Sequence, residues 1–178
     1  PEPSSPNPAG PNGGFTNIVL RVPPGLAICL QTPAGKVALD GLTGTVEAHV
    51  DMGSIEARSI TGDLMLRTSA GRISVTNAAI KEELSLTTSM GDIEFEGSLG
   101  ARNHVEVSAG RVQMTVPRST CVRLDAATNA GQVNTNMSVT ERKSEAMKSS
   151  AIGILGEGQP TGDLRIRVSM GEINISGK

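Results

Sequence analysis

The chain has 178 residues, with 16 Lys and Arg against 18 Asp and Glu for a formal charge of −2, no Trp, no Tyr and two Phe. That length suits one domain, or a domain with a tail. The charge balance offers no basic patch for nucleic acid, and two Phe supply few of the stacking platforms that single strands and sugar clefts use. No apolar run reaches the roughly 18 residues of a membrane-crossing helix.

Residues 1–14 (PEPSSPNPAGPNGG) hold five prolines and three glycines. Such a stretch builds no core and reads as a polyproline-like tail or linker. Pro3, Pro6, Pro8 and Pro11, with Phe15 just beyond, are candidate contacts to a neighbouring copy. The first residue is Pro rather than Met, which we read as removal of an N-terminal leader or anchor. Phe15 to Val22 (FTNIVLRV) alternates apolar and polar residues, as a lead-in or capping strand does.

One pattern then recurs seven times: ICLQTPAGKVAL, VEAHVDMGSIEA, LMLRTSAGRISV, LSLTTSMGDIEF, NHVEVSAGRVQM, LDAATNAGQVNT and LRIRVSMGEINI. Core-type positions fall seven, five and three before a glycine, and two and four after it. The glycines are Gly35, Gly53, Gly71, Gly91, Gly110, Gly131 and Gly171, with successive spacings of 18, 18, 20, 19, 21 and 40. Two residues after them stand Val37, Ile55, Ile73, Ile93, Val112, Val133 and Ile173, all β-branched. Alternation and β-branching mark strands with one buried face. Glycine suits a corner that needs positive φ or a close backbone approach. A further apolar residue eleven before the glycine (Leu42, Ile60, Ile80, Leu99) marks a third side.

One such repeat buries too little to fold alone, so the repeats must stack. The predicted fold class is all-β: a single-chain parallel β-solenoid (β-helix), right-handed by the general crossover preference, with seven or eight coils of 18–21 residues. Each coil is expected to stack on the next. Both ends are then open to another copy, the C-terminal one formed by Glu172 to Ser176.

Residues 137–160 interrupt the period. Glu141 to Ser149 reads as a solvated loop or short helix, and Ile152 onward as a strand with a turn. We read this insertion as tolerated length within a domain covering residues 15–178.

Chemistry-bearing residues are sparse. His49 and His104 take outward positions three coils apart, too far for a shared metal. Glu47, Asp51, Glu56, Asp92, Glu94, Glu96 and Glu106 also face out. Asp92 and Glu94 share a strand face, as acid–base work or a calcium site requires, but solubility and edge protection are the expected roles. After the glycines stand Lys36, Ser54, Arg72, Asp92, Arg111, Gln132 and Glu172, mixed charges that suit pairing between coils. Cys29 and Cys121 alternate with inward residues. Both are expected to face out, beyond reach of an internal disulfide and open to bridging between copies. No catalytic, cofactor-binding or metal set is assigned.

The units TGDLMLRTSAGRISV and EELSLTTSMGDIEFEG resemble the bacterial putative-adhesin repeat domain, as do LDAATNAGQV and GILGEGQPTGDLRIRVSMGEINI. The resemblance covers about Phe15 to Lys178 and implies a parallel β-helix outside the cytoplasm, often behind an N-terminal anchor. It implies no activity and no cofactor. The expected function is a non-enzymatic structural protein of the cell surface, a fibre or filament subunit whose partners are copies of itself. Alternatives are an adhesion module for surface glycans or proteins and a cytoskeletal β-helix polymer. A carbohydrate-active β-helix enzyme working through Asp92 or Glu94 is the remaining reading.

Overall fold

The computed structural model describes residues 23, 25–144 and 148–178, with the side chains of 140–144 left aside. Pro3, Pro6, Pro8, Pro11 and Phe15 lie outside the described residues, as does the whole lead-in or capping strand expected from Phe15 to Val22. Among those described there is no helix. Eleven strands form one sheet, mostly parallel: β1 (Ile28–Asp40), β2 (Thr43–Arg58), β3 (Thr61–Ala70), β4 (Ile73–Met90), β5 (Ile93–Ser98), β6 (Arg102–Val116), β7 (Val122–Ala130), β8 (Val133–Thr135), β9 (Val139–Ser144), β10 (Ser149–Leu155) and β11 (Asp163–Gly177).

The repeats lie one over another in register, glycine against glycine. Gly35 pairs with Gly53 between β1 and β2, and Gly171 with Gly110 between β11 and β6. The seven repeat glycines hold φ between 126° and 149°, a region that side chains avoid. Their spacing is as restrictive as their φ. A Cβ on Gly91 would lie 1.7 Å from the carbonyl oxygen of Gly71, and one on Gly110 would lie 1.8 Å from that of Gly91. A second corner column holds Gly41, Ser59 and Asn77 at φ of 65°, 52° and 54°. There Asn77 Nδ2 donates to Ser59 Oγ at 3.3 Å.

Alternation along each strand turns one set of side chains inward. Val46, Leu64, Leu84, Leu124 and Leu164, all seven before a glycine, are buried. Ile55, Ile73, Ile93, Val112 and Ile173, two after, are fully buried. Phe95 and Met114 fill the same interior from the position four after. One polar residue stands in the first of these columns. Asn103 accepts from Gly100 N at 3.0 Å, and its Nδ2 donates to the carbonyls of Gly100 and Asp163, each at 2.9 Å.

That last bond marks where the stacking leaves sequence order. Five layers follow the chain, through β1, β2, β3, β4, β5 and β6. The sixth layer is β11, the last repeat, which pairs with β6 on one side and with β7 and β8 on the other. The spatial order of glycines is therefore 35, 53, 71, 91, 110, 171, 131. The expected open C-terminal end is an interior layer. Residues 117–121 skip one layer to make room, a step of about 10 Å that five residues span easily. The inserted strand is fastened at its tip, where Lys178 N donates to Val116 O at 3.0 Å and Arg118 N to Lys178 O at 3.1 Å.

Two further expectations are corrected. The insertion is not spare length. Residues 141–144 belong to strand β9, with no helical turn, and β10 runs antiparallel to both β9 and β7. Ala151 and Leu155 of β10 are buried in the common core. Cys121 is buried, whereas Cys29 is exposed as expected. The turn after β10 packs over Cys121, whose carbonyl accepts from Thr161 N at 2.9 Å and Thr161 Oγ1 at 3.1 Å. Six layer steps, about 29 Å, separate the two thiols.

The glycine column yields a direct comparison. Gly91→Ala adds both left-handed strain and a collision with backbone, and should cost well over 3 kcal/mol or abolish folding. Gly158→Ala, at φ 117° with nothing within 4 Å of the added carbon, should cost only about 1–2 kcal/mol. Urea unfolding of both variants checks the ranking.

Candidate functional site

Each outward position of the repeat becomes a column running the length of the stack, one residue every ~4.8 Å. Directly before the glycines the column reads Ala34, Met52, Ala70, Met90, Ala109, Met170, Ala130 in spatial order. Ala and Met alternate without a break. The three Met side chains are 61–63% exposed, so they project from the corner about 10 Å apart. In sequence order the alternation fails, because Ala130 follows Ala109. That failure is a signal in the sequence that the last repeat belongs between the fifth and the sixth.

Directly after the glycines the column reads Lys36, Ser54, Arg72, Asp92, Arg111, Glu172, Gln132 in spatial order. Insertion of the last repeat again makes an alternation, of cations and anions. Arg72 lies 3.8 Å from Asp92, Asp92 Oδ1 accepts from Arg111 N at 3.0 Å, and Arg111 Nε lies 3.3 Å from Glu172. The pairing expected between coils is thus present, in an order the chain does not follow.

Six of the seven carboxylates singled out from sequence have a cationic or imidazole neighbour, some across layers and some along one strand. Asp92 and Glu94 share one guanidinium, Arg72, at 3.8 and 3.9 Å. Glu56 lies 2.6 Å from Lys36, and that contact holds its carboxyl below the ordinary range. Glu96 pairs with Lys178. His49 Nε2 lies 2.9 Å from Asp51, and His104 Nε2 3.6 Å from Glu106. The two imidazoles stand in the second and fifth layers.

Sequence reasoning passed over two features of the outward sheet face. The first is a shallow groove of about 370 Å³ across layers one to four, whose lining includes Cys29, Gln31, Glu47, His49, Met65 and Arg67. The second is the pair Asp125–Arg167. Arg167 Nη1 donates to Asp125 Oδ1 at 2.9 Å, and Nη2 reaches Oδ2. Arg165 adds a third contact at 3.9 Å. This fork ties inserted β11 to β7.

The Arg167 guanidinium holds Asp125 below its ordinary value of 3.8. A lowered folded value contributes stability above the unfolded one and loses it as pH falls through the folded one. The carboxylate is 37% exposed, so the contribution is about 0.5–1 kcal/mol. Asp125→Asn should therefore lose about that much at neutral pH, and the gap to the unmodified chain should close as pH drops below 3.8. Urea titrations at about pH 7 and about pH 3 measure it.

Comparison of the chain with protein-family models, with curated proteins and with solved structures finds no match.

Proposed function

We propose that the chain is a non-enzymatic structural protein, a right-handed parallel β-solenoid that acts as a subunit of a cell-surface fibre or filament. One observation carries this reading: the asymmetry of the two ends. At one end β1 offers thirteen residues with no strand on its outer side among the described residues. Its inward residues Ile28, Leu30 and Val37 are only half-buried, while their counterparts Val46, Ala48 and Ile55 one layer in are buried. An edge with no strand over it among the described residues, above an unfinished core, favours addition of another strand. At the other end the antiparallel β9–β10 hairpin covers the outer side of β7, and its edge strand carries Glu141, Arg142 and Lys143 in its sequence. Charge on an edge discourages addition. Stacking therefore joins two copies through their β1 ends into a pair, the C-terminal repeat takes no part, and growth into a filament uses a second contact elsewhere on the surface. Location outside the cytoplasm follows from the resemblance to the adhesin-type repeat.

The groove beside Cys29 favours a second reading, an adhesion module that binds surface glycans or proteins. Sedimentation and negative-stain microscopy over a concentration series test both. Elongated particles larger than one chain, reduced by Leu30→Lys without loss of the folded signal, are the expected result. Single-chain particles at every concentration contradict end stacking. A Leu30→Lys protein that stays monomeric and still binds a glycan array or cell surface supports the second reading instead.

A further inference from the structure

We infer that the methionine–alanine ladder at the glycine corner is a second contact between copies of this chain, in which two ladders lie antiparallel and offset by one layer. The contact adds to the end stacking proposed above and stands without it.

The ladder is complementary to itself in shape. Three projecting Met side chains alternate with Ala at equal steps, so every Met has a gap of matching pitch on each side. Two identical ladders interlock only if Met faces Ala. A two-fold axis parallel to the ladder sets Met against Met. So does an axis across the ladder through Met90, the centre of the stripe. An axis across the ladder between two layers sets every facing Met against Ala. With the axis between the third and fourth layers, Met90 enters above Ala70 of the other copy, Met52 above Ala109 and Met170 above Ala34. With the axis between the fourth and fifth layers, Met90 meets Ala109 and Met170 meets Ala70.

Charge selects the same arrangement independently. An axis across the ladder keeps each flank facing its own copy, so the column after the glycines meets itself reversed. Axes between layers set Arg72 against Asp92 and Lys36 against Glu172, or Arg72 against Glu172 and Asp92 against Arg111. An axis through the fourth layer sets Asp92 against Asp92 and Arg72 against Arg111, which repel. Arg72 and Arg111 are exposed, at 58% and 59%, and Asp92 and Glu172 are half-buried, at 41% and 38%; all four stand two residues from the methionine column in sequence. The column on the other flank, two before each glycine, has one charged residue, Asp51. In either register it faces Ser108 or Asn129.

Thioethers adapt to such gaps and make soft contacts. The strip is only about 29 Å long, short of the ~800 Å² per partner of a stable complex. The association is therefore weak, with Kd on the order of 10⁻⁴ M. Because both interfaces are two-fold, ladder pairing and β1-end stacking together generate an open chain of subunits.

Sedimentation equilibrium in the Leu30→Lys background, where end stacking is removed, tests the ladder alone. Asp92→Arg should weaken self-association at least tenfold, since the arginine that faces residue 92, Arg72 in one register and Arg111 in the other, then meets a cation. Arg72→Glu with Arg111→Glu should do the same, and mixing the two variants should restore a mixed dimer. Met52→Ser, Met90→Ser and Met170→Ser together, all at exposed sites, should weaken it similarly with thermal unfolding unchanged. That second set keeps the test open if a charge variant folds poorly. A protein monomeric at millimolar concentration, or a dimer indifferent to both sets, overturns the inference.

Discussion

The structure depends on a contact that involves no side chain. At the repeat corner the carbonyl oxygen of one glycine occupies the place where a Cβ on the next would stand, 1.6 to 1.9 Å away along the column. Backbones that approach this closely fix the register between layers, because a slip of one residue sets a side chain against a carbonyl. Register in turn fixes everything built on alternation. The β-branched residues two after each glycine superpose into a continuous core, and the outward residues superpose into columns with their own chemistry.

Much of this was legible in the sequence. Seven glycines followed two residues later by Val or Ile gave the corner and the buried face, and the parallel pairing followed from a repeat that cannot bury itself. The order of the last two layers was not read, because each repeat satisfies the same local pattern wherever it is placed. Local periodicity specifies what a layer is and says nothing of which layer it lies upon. That choice is made by longer-range chemistry: the Asn103 amide that reaches Asp163, the Asp125 carboxylate that takes Arg167, and the Arg111–Glu172 contact. A trace in sequence was the broken alternation at Ala109 and Ala130.

The two other departures share that origin. Cys121 was placed outward by alternation with Val122, but it precedes β7, where the turn after β10 folds over it. Residues 141–144 carry helix-tolerant charges, yet the free edge of β10 recruits them as a strand. In both cases a neighbour supplied by the insertion decided the outcome over local preference. The candidate surface depends on the same rearrangement. Without the last repeat between the fifth and sixth, the methionine alternation would not run the length of the corner and the charge alternation from Arg72 would stop at Arg111 instead of reaching Glu172.

The order of layers is therefore the claim to test first, and pairs of introduced cysteines in a background lacking Cys29 and Cys121 test it most directly. Arg167 faces Glu106 on one side and Ala127 on the other, each within the reach of a disulfide between adjacent parallel strands. Oxidation should bridge the pairs 106–167 and 127–167 in good yield and leave 106–127, two layers apart, unbridged. Efficient bridging of 106–127 with none of 106–167 would place the repeats in simple sequence order and contradict the account.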